Sequence, residues 1–174
     1  REIETGKVDI HGLIKAEGAK SIGYAMLSGA GTNTGTIEVI GHSNNQLGTT
    51  NYEGSLGFYG VKGTFNNAGT IKTEGKLAHY VVVKNAGMTF NHSGTIEVDS
   101  PTSNKGNIGV FSDGNATVNL GNATSAPELE SYGSGSLLFY NYTKSGSGSS
   151  ATYTANGIFK LNNANVKATL NNGA

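Results

Sequence analysis

The feature that most constrains this chain is that it repeats itself. Gly35-Thr36-Ile37-Glu38-Val39, Gly69-Thr70-Ile71-Lys72-Thr73 and Gly94-Thr95-Ile96-Glu97-Val98 are copies of one unit. Gly12-Leu13-Ile14-Lys15-Ala16 is a weaker copy, and the starts lie 23, 34 and 25 residues apart. A second unit follows each first one: Ser21–Ala25, Ser55–Lys62, Leu77–Lys84, Asn107–Phe111 and Ser136–Tyr140. A third unit leads back into the first, as in Thr64-Phe65-Asn66-Asn67 against Thr89-Phe90-Asn91-His92, with Thr117-Val118-Asn119 its next copy. Each unit has about five residues, the usual strand length, and alternates polar with apolar residues between Gly, Asn or Ser. An antiparallel sandwich also spaces short strands regularly, but its strands need not resemble one another at every third element. Recurrence in fixed order therefore predicts an all-β fold. The expected form is a right-handed parallel β-helix (β-solenoid) with three strands per coil and 23–25 residues per minimal coil. No window carries a 3.6-residue period, so helix should be nearly absent.

Stacking converts the alignment into columns. Ile14, Ile37, Ile71 and Ile96 form one inward column, supported by Ala16, Val39, Thr73 and Val98, while Phe65 and Phe90 fill another face. The outward column beside the isoleucines reads Lys15, Glu38, Lys72, Glu97, an alternation that bears on register rather than function. Asn66-Asn67, Asn91 and Asn119 end the third unit, where stacked amides can hydrogen-bond from coil to coil. The glycine of each Gly-Thr-Ile unit is expected at a corner, free to take positive φ.

The 174 residues include 27 glycines, no cysteine and no tryptophan, and 12 basic residues balance 12 acidic ones. Zero net charge gives no field for nucleic acid or an anionic membrane. Without cysteine there is no disulfide scaffold, thiolate metal site or thiol chemistry. No apolar run is long enough to span a bilayer. The chain opens at Arg1 without a leader, as a single segment cut from something longer would.

Departures from the minimal coil are the candidate functional places, because solenoid inserts project outward. Inserts are expected at about 41–54, 100–106, 121–127 and 143–150, the last a Ser/Gly run resembling a spacer. The largest combines amides with one aromatic, and its His42, Asn44, Asn45, Gln46, Asn51, Tyr52 and Glu53 are candidate ligand contacts. Tyr59 and Tyr140, outward by alternation, form a possible stacking platform. Catalysis finds little support: no Gly-x-Ser-x-Gly elbow places a nucleophile, and the only close carboxylates, Glu128 and Glu130, suit a solvated face. No catalytic residue, metal ligand or cofactor is expected. The Asn-x-Ser/Thr triplets at Asn91, Asn115, Asn122 and Asn141 arise by chance in such a composition.

Repeated Asn-x-Gly-Thr-Ile followed by a Gly-aromatic strand, in a Cys-free chain rich in Gly, Asn, Thr and Ser, resembles the passenger region of Gram-negative autotransporters. Over about residues 6–142 it is most similar to the large fusobacterial autotransporter adhesins. The resemblance implies a β-helix displayed at the bacterial surface by a C-terminal outer-membrane barrel outside this chain. The expected function is attachment, through loops on the β-helical stalk, to a host or bacterial cell-surface protein or glycan, without nucleic-acid or membrane contact. A purely structural stalk and a carbohydrate-active β-helix enzyme are the competing expectations.

Overall fold

The computed structural model describes residues 2–3, 6–18, 21–42, 55–76, 78–83, 87–99, 108–112, 116–132, 137–140, 142–155 and 157–171. Among them there is no α-helix, and all three large sheets are parallel. The first sheet contains β1 (Glu2–Ile3), β4 (Ile22–Met26), β7 (Ser55–Gly60), β10 (Ala78–Val83), β13 (Ile108–Ser112) and β16 (Leu137–Tyr140). The second contains β2 (Lys7–Ile10), β5 (Ala30–Asn33), β8 (Gly63–Asn67), β11 (Met88–His92), β14 (Thr117–Leu120) and β19 (Ile158–Leu161). The third contains β3 (Leu13–Glu17), β6 (Thr36–His42), β9 (Thr70–Lys76), β12 (Thr95–Asp99), β15 (Glu128–Tyr132) and β20 (Lys167–Asn171). The chain thus visits the sheets in rotation, an arrangement compatible with a β-solenoid. One antiparallel hairpin, β17 (Tyr142–Ser145) with β18 (Thr152–Ala155), interrupts the rotation. It replaces the spacer expected at 143–150, and a short 3-10 turn, Gly148–Ser150, closes it.

Register follows the repeats. Ile14, Ile37, Ile71 and Ile96 pair in series, and the column continues through Leu129 to Ala168. Ile37, Ile71 and Ile96 are fully buried, each contributing roughly 1.5–3 kcal/mol of transfer free energy. Between the sheets lies an aromatic stack, with Phe58 and Phe65 ring centroids 4.1 Å apart and Phe65 and Phe90 6.0 Å apart. Gly31, opposite Phe65 in register, leaves room for it: a Cβ there would sit 2.7 Å from the Phe65 ring. The column's last circuit is open. Leu161 and Leu170 occupy inward register positions yet are 72% and 56% exposed, since no described strand pairs with the far side of β19 or β20.

Two expectations are corrected. The glycines of the Gly-Thr-Ile units do not take positive φ; among described residues that conformation falls elsewhere, as at Gly29 (φ 104°) and Gly63 (φ 107°). Gly35, Gly69 and Gly94 are required by stacking instead, because a Cβ on each would strike the carbonyl of the glycine one circuit below (Gly12, Gly35 and Gly69). The outward column runs Lys15, Glu38, Lys72, Glu97 as expected, and Glu130 of β15 follows it. Finally, Gly41 and His42 continue β6, pairing with Gly75 and Lys76, and do not belong to the insert.

Candidate functional site

The structure concentrates its polar side chains at the corner between the second and third sheets. Strand parity splits the asparagines there into two columns. Asn66 is outward and exposed, while Asn67 is inward and fully buried.

The inner column is Asn33, Asn67 and His92. The Asn33 Nδ2 donates to Asn67 Oδ1 at 2.7 Å, and Asn67 Nδ2 meets His92 Nδ1 at 3.0 Å. With the Asn67 oxygen already accepting, its Nδ2 is the donor, so His92 Nδ1 accepts and the ring proton resides on Nε2. That nitrogen has no hydrogen-bond partner among the described residues, and the ring stacks nearly parallel to Phe90, with 6° between their planes. Burial disfavours the imidazolium and lowers the His92 pKa from 6.5 to about 4. The same asparagines tie down the turn: Gly35 N donates to Asn33 Oδ1 at 3.1 Å, and Ala68 and Gly69 N both donate to Asn33 O.

The outer column is a continuous amide ladder. Asn91 Nδ2 donates to Asn66 Oδ1 at 2.8 Å, Asn119 Nδ2 to Asn91 Oδ1 at 2.8 Å and Asn162 Nδ2 to Asn119 Oδ1 at 3.2 Å. Beside it runs a concavity of about 440 Å³, completed by His92, Ser93, Gly121, Asn122 and Ala123. One wall is the connection between β14 and β15, residues 121–127. Here Asn122 Oδ1 accepts from Thr124 N, Thr124 Oγ1 and Ser125 N at 2.9–3.0 Å. Ser125 Oγ donates to Ser93 O at 3.0 Å, and Asn163 Nδ2 to Asn122 O at 2.9 Å, fastening the loop to circuits on both sides. The corresponding corners of the four preceding circuits are two residues, as in Ala68-Gly69 or Ser93-Gly94, and the one that follows, between β19 and β20, is five. This loop therefore departs from the minimal turn while staying locked, and the departure creates the groove.

The residues singled out from sequence are distributed differently. His42 ends β6, while Asn44, Asn45, Gln46, Asn51, Tyr52 and Glu53 lie outside the described residues. Tyr59 is half-buried on β7, and Tyr140 shares its register column on β16, with Val82 and Phe111 between them. The two tyrosines are therefore not neighbours. Among the described residues no three His, Cys, Asp or Glu come together. Glu128 and Glu130 stand on β15, opposite Lys167 and Thr169 of β20. Sequence reasoning placed asparagines at this corner but missed Asn33 and Asn162, which lie outside the most similar repeats. No family model, curated protein or solved structure matches the chain.

Proposed function

We propose that this chain is a segment of a bacterial cell-surface adhesin of the autotransporter-passenger kind. In this reading it is a right-handed parallel β-helix of three strands per coil, with the handedness usual for parallel crossovers. It is held outside the outer membrane by a barrel beyond this segment, and it acts by binding rather than catalysis. The observation that carries this reading is the parallel rotation through three sheets combined with a corner groove whose lining is amide and hydroxyl rather than acidic. A glycosidase requires two carboxyl groups facing one bond, and the lining residues offer none. The insert beginning after His42 remains a second candidate contact.

The test is adhesion. Beads carrying the purified chain should attach to epithelial or bacterial cells, whereas beads carrying a heat-unfolded sample should not. Replacing residues 43–54 by a short Gly-Ser link and, separately, substituting the groove amides distinguishes the two contact regions. Beads that bind no cell of either kind would leave a stalk that only spaces, and the adhesin reading would fall.

A further inference from the structure

The outer asparagine column has a hydrogen-bond inventory that selects a ligand. An amide carries two N–H donors and an oxygen with two lone pairs. Asn91 gives one N–H to Asn66 and receives one from Asn119, and Asn119 in turn receives one from Asn162. Each of these two amides therefore keeps one donor and one acceptor lone pair, with no further partner among the described residues. Because every bond fixes the orientation of the next amide, these free pairs recur in one orientation at the strand spacing of about 4.8 Å. The ordering entropy of the side chains is already spent in the free protein, which favours binding.

The lining also excludes alternatives. It contains no charged side chain, and the nearest charge in register with the column, Lys160 opposite Asn119, is exposed to solvent, so an ion would surrender hydration for little counter-charge. An apolar ligand would cover the free amides and leave them unsatisfied. An extended peptide presents equivalent backbone groups on one side only every second residue, about 6.6 Å apart, out of step with the column. A hydroxyl is donor and acceptor together and matches each free pair. We propose that the groove binds a neutral, hydroxyl-rich glycan chain lying along the asparagine column, against the wall formed by residues 121–127. The source of that glycan rests on the adhesin reading; its chemistry rests on the groove alone.

The experiment is a titration of the isotopically labelled chain with cellohexaose and maltohexaose, and with a heparin hexasaccharide as the acidic comparison. At least one neutral sugar should shift the side-chain NH2 resonances of Asn66, Asn91, Asn119 and Asn162, while those of buried Asn33 and Asn67 stay in place. Asn91→Ala with Asn119→Ala should weaken binding at least about tenfold, as the loss of two such hydrogen bonds implies. Ala123→Leu, which crowds the groove from its wall without touching the column, should weaken it too and guards against a misfolded double variant. The proposal is overturned by absent shifts at sugar concentrations that would populate a site of about 1 mM Kd. A stronger response to heparin, or undiminished affinity in the variants, overturns it equally. If cells are still bound when both neutral sugars fail, the groove assignment is lost and the adhesin reading stands. If the sugars bind and cells do not, the reverse holds.

Discussion

Asn66 and Asn67 are adjacent in sequence and identical in chemistry, yet they occupy opposite sides of β8 and do different work. Asn67 is fully buried, sandwiched between Asn33 and His92 in a column that terminates where Leu120 follows His92. Asn66 is exposed and begins a ladder that runs outward through Asn91 and Asn119 to Asn162. The inner column is a device of folding: its amides satisfy buried groups and clamp the turn into the next sheet. The outer column is displayed, and water can replace any of its bonds. One step along a strand changes the solvent, and the solvent sets both the energetic weight and the functional use of the same side chain.

The largest expected effect separates the columns by pH. A His92 pKa of about 4 in the fold against 6.5 unfolded means that the unfolded chain binds more protons between those values. Stability is thus held above pH 6.5 and lost as pH falls towards 4. The loss attributable to His92 is about 3 kcal/mol at pH 4. The measurement is a difference, which isolates His92 from the rest of the chain: urea unfolding of the parent against His92→Leu, a residue the column already accepts at Leu120. The parent's advantage over the variant should shrink by about 3 kcal/mol from pH 7 to pH 4. Parallel pH profiles would mean that His92 is solvated in the native state and the inner column is not closed.

Next comes Asn67→Ala, which strands His92 Nδ1 in a buried site and leaves the Asn33 Nδ2 only the 3.3 Å bond to Thr70 O. One to three kilocalories are expected, about 1–3 kcal/mol at pH 7, from unsatisfied polar groups. A cost under about 0.5 kcal/mol, typical of surface positions, would erase the distinction between the columns.

Much of this contrast was legible in the sequence, and its limits have physical causes. The Gly-Thr-Ile copies fixed the register of β3, β6, β9 and β12 because apolar alternation and a stacked glycine are both local signals. The circuit through β15 and β20 was not visible. Pro127-Glu128-Leu129-Glu130-Ser131 keeps the parity that buries Leu129 and Ser131 but has lost the glycine and isoleucine that mark the unit. Positive φ was assigned to the wrong glycines, since sequence cannot tell a residue that needs a conformation from one that must let another backbone approach. The groove was hidden for a different reason. It depends on asparagines from three circuits coming into register, on Asn162 reaching Asn119 from the turn after β19, and on the internal hydrogen bonds of residues 121–127, none of which any single stretch of sequence encodes.

The smallest effect belongs to the outer column and is the sharpest test of the comparison. Asn91→Ala breaks two hydrogen bonds, to Asn66 and from Asn119, which is as many side-chain partners as Asn67 has in its own column. Counting side-chain partners alone would predict nearly equal costs for Asn91→Ala and Asn67→Ala, the further bond from Asn67 Nδ2 to Gly69 O being long at 3.3 Å. Burial predicts otherwise, because the abandoned Asn66 oxygen and Asn119 amide turn to water, whereas the partners of Asn67 cannot. Asn91→Ala should therefore cost only about 0.5 kcal/mol in the urea midpoint at pH 7, with no change in its pH profile, since His92 keeps its inner partner. Equal losses at the two positions would show that the ladder is a structural clamp on the corner, as closed to water as the inner column, and the distinction between the columns would fall.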